Sequence, residues 1–172
     1  MTINALRVQQ ATIEADAEVP VIRITRDFTA TPAQLVRAHT DPDLYAQWCG
    51  PHDLGTEIDH WDARSGGSWA FTNVRGDERF SFHGCFHEIG QDKIVQTFTY
   101  DEEPDGVSLE TLTFQDLGDG RTRLVATSLV DSFEARDGWL VSGMETGVND
   151  GYEKLDALLA EGRVPEGPAP TR

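Results

Sequence analysis

From residue 54 to residue 130 the sequence is one period-2 segment after another, each closed by a turn signal, and the long helical period comes only afterwards. Segments 54–61, 67–75, 78–89, 93–100, 107–115 and 122–130 read as strands. Gly76-Asp77, Gly90-Gln91-Asp92, Pro104-Asp105-Gly106 and Gly118-Asp119-Gly120 separate them with hairpin chemistry, and Gly66-Gly67 turns straight into the aromatic alternation of Trp69 and Phe71. Connections this short join antiparallel neighbours, because a parallel pair needs a crossover of a dozen residues or more. The sheet must therefore be an antiparallel meander.

Upstream, 19–28 reads as a further strand with Ile22, Ile24, Arg26 and Phe28 on one face, and Pro20 places its start at a strand end. Thr31-Pro32 and Asp41-Pro42 each set a capping side chain before a proline at the first helical position. Two short helices follow, the first burying Leu35, Val36 and His39 and the second ending near Trp48. The span 137–161 has no proline and spaces Leu140, Met144, Val148, Tyr152, Leu155 and Leu159 as one long helix. The fold class expected is α+β: a curved antiparallel sheet of six or seven strands wrapped around a long C-terminal helix, with two short helices after the first strand.

At 172 residues this is a single domain, placed at 19–161. Residues 1–18 read as a tail or an extra edge strand, and the proline-rich 162–172 as a disordered tail. A formal charge of -16 opposes binding to nucleic acid or to anionic membranes. No apolar run approaches the ~20 residues that span a bilayer, and the N-terminus lacks a signal-peptide core, so the protein is expected in the cytoplasm. Cys49 and Cys85 are then expected as free thiols. An excess of arginine over lysine suggests a GC-rich bacterial source.

One face of the sheet collects Trp69, Phe71, Phe80, Phe82, Phe86, Ile94, Gln96, Phe98, Tyr100, Leu112, Phe114, Leu124, Ala126 and Ser128, while the other carries Ser81, His83, Cys85, His87 and a series of threonines. The helix that covers the first face has Gly143, Gly147 and Gly151 at four-residue spacing, each costing about 1 kcal/mol relative to alanine. Such a stripe either admits a bulky strand residue against the backbone or borders a cavity. The polar groups on the dry face, Arg26, Gln96, Tyr100 and Ser128, need partners from the protein or from a ligand. For Arg26 these are an acidic side chain or a bound carboxylate or phenolate.

No metal site is expected: His83 and His87, four residues apart on a strand, stand about 13 Å from each other, and His52 and His60 near Glu57 and Asp62 assemble no ligand set. No Gly-x-Ser-x-Gly elbow, phosphate-binding loop or dinucleotide fingerprint is present, so no cofactor is expected and no catalytic constellation is evident.

Arg26-Asp27-Phe28 before Thr31-Pro32, Asp41-Pro42, Trp48-Cys49-Gly50-Pro51, Asp62 through Trp69, Gly84 with Glu88-Ile89, Gly120 through Leu124, and Gly143-Met144-Glu145 to Leu155 resemble, in this order, the START-like superfamily. This helix-grip, SRPBCC-type group includes bacterial domains similar to the C-terminal domain of the activator of Hsp90 ATPase. The resemblance spans about 19–161 and implies a sheet gripping the last helix, with a deep cavity for hydrophobic molecules between them. Cys49 stands where many relatives have a second tryptophan, and the N-terminal domain of the eukaryotic co-chaperone has no counterpart.

The function expected is binding of a planar aromatic, polyketide- or phenylpropanoid-like molecule in that cavity. The residues expected to line it are Trp48, Trp69, Phe71, Phe80, Phe82, Phe98, Tyr100, Leu112, Phe114, Met144, Gly147 and Val148, with Arg26, Tyr100 and Ser128 as polar anchors. The rivals are a cyclase or dehydratase in which Tyr100 or an inward carboxylate acts as acid or base, and a co-chaperone-like interaction domain. A homodimer is left open.

Overall fold

The computed structural model describes residues 9–167. Its elements run β1 (Thr12–Ala15), β2 (Val21–Phe28), α1 (Pro32–Thr40), α2 (Pro42–Trp48), β3 (Gly55–Trp61), β4 (Ser68–Arg75), β5 (Glu78–Ile89), β6 (Lys93–Tyr100), β7 (Val107–Gly118), β8 (Arg121–Leu129), α3 (Phe133–Val141) and α4 (Met144–Ala160). The strands form one antiparallel sheet in the order β1-β2-β8-β7-β6-β5-β4-β3. Six hairpin-linked strands are a meander, and the non-local step is β2 pairing with β8, from Val21 opposite Leu129 to Phe28 opposite Thr122. The described residues thus contain eight strands where six or seven were expected, because Thr12–Ala15 adds an edge strand on β2. Residues 1–8 lie outside the described residues.

Both N-caps form as their chemistry dictates. Thr31 accepts from the Gln34 amide at 3.2 Å while the Gln34 side chain accepts from the Thr31 amide at 3.0 Å, and Asp41 accepts from the Asp43 amide at 3.0 Å. Leu35 and Ala38 of α1 and Trp48 of α2 are buried against the sheet's concave face. Gly84 marks how tightly that face is built: a Cβ there would lie 2.0 Å from the Thr97 carbonyl and 2.6 Å from the Trp69 ring, the indole of its cross-strand partner. Only glycine lets the ring lie against the strand.

The long C-terminal helix is two helices. Helical spacing continues through residues 142 and 143, but Gly143 takes φ +90°, a left-handed conformation that ends the α3 ladder and starts α4. α3 buries no residue, whereas α4 buries Gly151, Tyr152, Leu155 and Leu158 along its C-terminal half. The C-terminal segment also departs from a loose tail. Val164 is buried, its carbonyl accepts from Gln34 at 2.9 Å, and Glu166 accepts from Thr31 at 2.7 Å, so Arg163 to Gly167 continue along α1. The remainder of the expected tail, 168–172, lies outside the described residues. Cys49 and Cys85 are both free.

Candidate functional site

Between the concave sheet face, α2, α3 and the N-terminal half of α4 lies a cavity of about 740 Å³. Its walls are the inward positions of β3 to β8, closed at the sides by α2 and α4 and roofed by α3. Trp48, Trp69, Phe71, Phe80, Phe82, Phe98, Tyr100, Leu112, Ser128, Met144, Gly147 and Val148 all border it. The ring of Trp69 stacks on Phe71 at 5.5 Å, Phe71 meets Phe82 at 5.2 Å, and Phe82 meets Phe98 at 5.3 Å and Tyr100 at 5.1 Å. This aromatic band follows from alternation: side chains two residues apart on β4, β5 and β6 share one face. The cavity opens between the β6–β7 turn, where Glu103, Gly106 and Val107 are exposed, and Asp131 with α3.

Two expected site residues lie elsewhere. Phe114 sits in the packed core, with its ring 5.3 Å from His39. Arg26 is 2 % exposed and is held by Asp156 of α4 at 2.9 and 2.5 Å and by the Gln9 carbonyl at 3.0 Å, beneath which the Phe28 ring lies 4.4 Å away. Its place in the register explains this. Arg26 pairs with Leu124, which pairs with Phe114, a row beyond the cavity floor of Ile24, Ala126, Leu112 and Ile94. The guanidinium therefore pins α4 to the sheet and does not anchor a ligand.

The glycine stripe resolves into three separate causes. Gly143 is the break described above, and Gly151 brings α4 against α2, since a Cβ there would stand 3.0 Å from the Trp48 carbonyl. Gly147 borders the cavity, where a Cβ would make an ordinary 3.6 Å contact with Pro51.

The cavity is also lined by residues that the sequence does not single out for it, Tyr45 of α2, Trp61, Asn73, Trp139 of α3, Tyr152 and, above all, Glu110, and by Cys49 at the end of α2. Glu110 lies directly opposite Gln96 on β6 and Ser128 on β8. The Gln96 amide donates to its Oε2 at 2.9 Å and the Ser128 hydroxyl to its Oε1 at 3.2 Å. The signal was available, because Glu110 shares parity with Leu112 and Phe114 and so must point inward. Burial pushes its carboxyl above the usual range, against the two hydrogen bonds that favour the ionised form.

Other titratable groups at the cavity are held uncharged. Burial lowers His39 to about 4 against the opposing hydrogen bond from Nδ1 to the Leu35 carbonyl at 2.7 Å, and it raises the Cys49 thiol to about 11 despite the facing Tyr45 hydroxyl. Cys49 is thus no thiolate nucleophile near neutrality. Tyr45 and Tyr152 are raised, also by burial first, and Tyr100 is raised by burial and by facing Glu102 at the cavity mouth. Trp48 and Trp61 donate to the carbonyls of Ala38 and Thr40, while the buried Trp69 Nε1 has no partner among the described residues.

Away from the cavity, His52, Asp150 and Glu153 bring one ligand atom each within 4.8 Å of one another, a grouping the sequence reading did not make. The His52 amide donates to Asp150 at 3.1 Å and its ring stands 3.4 Å from Glu153, a surface link between the loop after α2 and α4. On the outer face His83 meets Asp101 at 2.6 Å.

A sheet gripping a C-terminal helix, two capped helices after β2 and a cavity beneath α3 agree with the family model described as "Activator of Hsp90 ATPase homolog 1-like protein", which matches residues 29–160. The chain belongs to this family. No curated protein matches it. Solved structures with a similar fold include protein Ms6760 from Mycobacterium smegmatis, 23% identical, covering 87% of this chain and 96% of its own, with a TM-score of 0.78. A protein from Arthrobacter aurescens is likewise 23% identical over 87% of this chain and 91% of its own, TM-score 0.78. The AHSA1 protein from Silicibacter pomeroyi is 22% identical over 83% and 99%, TM-score 0.66. Among the described residues no helix is long and apolar enough to cross a membrane.

Proposed function

We propose that this Hsp90-activator-like domain is a cytoplasmic binding protein for a planar aromatic small molecule of polyketide- or phenylpropanoid-like shape. The observation that carries this reading is the cavity of about 740 Å³ walled by stacked and tilted aromatic rings. That volume is of the size that holds drug-like ligands, and rings at 5.1–5.5 Å from one another present faces to a flat guest. Native mass spectrometry of the purified protein, followed by a thermal-shift screen of flavonoids, polyketides, aromatic acids and fatty acids, tests it. A stabilising aromatic class is the expected result, and exclusive stabilisation by fatty acids counts against planarity.

Gly147→Leu probes the wall directly. A side chain there occupies cavity volume near Pro51, so ligand affinity should fall about tenfold or more, and unchanged affinity on titration would remove α4 from the site.

A second reading is favoured by Glu110. An inward carboxyl with a raised pKa can take or give a proton, so a cyclase or dehydratase acting on an enolisable ketone would use Glu110, with Tyr100 at the mouth. Turnover of a poly-β-ketone, lost in Glu110→Gln, is its signature. The family's own description favours an interaction with a chaperone, for which stimulation of a chaperone ATPase is the assay.

A further inference from the structure

Glu110 has two donors and no cation. Gln96 Nε2 and Ser128 Oγ each address one of its oxygens, an arrangement that holds a carboxylate and leaves the remaining lone pairs of both oxygens open. Among the described residues that line the cavity there is no lysine or arginine, and the imidazole, His39, is buried with its Nδ1 bound to the Leu35 carbonyl. The other charged lining groups, Glu103 and Asp131, are acidic and stand at the mouth. The Tyr45, Cys49 and Tyr152 side chains face Glu110 from α2, its cap and α4, all protonated near neutrality, and the half-buried Lys154 of α4, beside Cys49, donates to the Pro51 carbonyl and does not line the cavity. Arg26, the buried guanidinium among the described residues, is held by Asp156 on both terminal nitrogens, while its Nε has no partner among those residues.

The Glu110 carboxyl, half-buried in the cavity wall, has no countercharge in a largely apolar surround, so it is stabilised either by taking up a proton or by a cation brought to it. Here the surround is aromatic, and ring faces attract cations in the same geometry in which they accept flat rings. The chain's formal charge of -16 adds a long-range field of the same sign.

We propose that the ligand is an arylalkylamine, its rings on the Trp69, Phe71, Phe82 and Phe98 wall and its protonated nitrogen at the Glu110 carboxylate. This rests on the cavity-binding reading above and names its ligand class. The cavity discriminates by charge at one point. Amines gain a paired ion in a site that has none, neutral isosteres leave Glu110 to take up a proton, and acids meet a like charge. Affinity for the amine therefore rises with pH as Glu110 ionises, a window that begins at the ordinary carboxyl value and extends above it.

The experiment uses a matched trio: 1-naphthylmethylamine, 1-naphthylmethanol and 1-naphthoic acid, titrated calorimetrically into the full chain. The amine should bind about tenfold or more tightly than the alcohol and the acid most weakly, with the amine's advantage growing as pH is raised above the ordinary carboxyl value. Glu110→Gln keeps the shape, so it should bring the amine down to about the alcohol's affinity. Should that variant not fold, the pH series on the unaltered protein decides. Equal affinity of alcohol and amine, or an advantage that survives Glu110→Gln, overturns the charge assignment while the cavity reading stands. Failure of all three to bind, together with an empty aromatic screen, overturns both.

Discussion

At the scale of the residue, the inward face of the sheet is decided by parity, and parity was readable throughout. Trp69, Phe71, Phe82 and Phe98 point where alternation sends them, and Glu110 was passed over because a glutamate in a strand suggests a solvated position, although its neighbours at two-residue spacing are buried. Arg26 is legible as inward and as needing an acidic partner or a ligand, but which acid is not, since Asp156 lies 130 residues away on another element. His39 gives a residue-scale prediction with a definite sign. Burial holds it at about 4, below the ordinary imidazole value of 6.5, so the unfolded chain takes up a proton that the native state refuses. Stability present above 6.5 is lost as pH falls toward 4, by on the order of 3 kcal/mol. His39→Gln removes that portion: in urea unfolding at a series of pH values, the gap between the two proteins should narrow by this amount as pH falls from 6.5 to 4. A gap that stays constant would show that the imidazole titrates alike in both states.

At the scale of the element, strands and capped helices were legible because their signals are local, and five of the turns carry Gly, Asp or Pro in hairpin order. The break at Gly143 was not, because apolar spacing runs on across it and a single glycine is tolerated within a helix. What the break produces is an element of its own: α3 has Phe133 and Val141 exposed and no buried residue, and it contributes Trp139 to the cavity roof, where its ring meets Phe98 at 6.2 Å. An element with so little burial opens at low free energy, while Leu155 and Leu158 tie the end of α4 to the core. Hydrogen exchange should therefore show α3 amides protected well below those of Tyr152 to Leu158, and a bound ligand should slow α3 first. Equal protection of α3 and α4 would make the roof part of the rigid frame.

At the scale of the whole molecule, the meander was legible and its closure was not. Hairpins declare their own partners, whereas β2 meets β8 across all the strands and helices between them, an encounter for which no local residue codes. The distribution of charge belongs to this scale as well. Of the cations, Arg64 pairs with Asp62, Arg75 with Asp53 and Glu78, Arg79 with Glu57, and Arg123 with Asp27. These exposed pairs contribute little, being screened by water, and they leave the other acids of a -16 chain to repel one another over the surface. Salt screens both terms, yet repulsion is summed over many separations comparable with the ~10 Å Debye length, while the pairs are few and short. Raising sodium chloride from about 0.02 M to about 0.5 M should accordingly raise the unliganded Tm by several degrees, as about 1–2 kcal/mol does in a domain of this size. The same salt should weaken the naphthylmethylamine affinity while leaving the naphthylmethanol affinity nearly constant, because only the cation feels the field. A Tm that falls with salt would place the ion pairs above the repulsion, and an amine affinity indifferent to salt would confine its recognition to Glu110 alone.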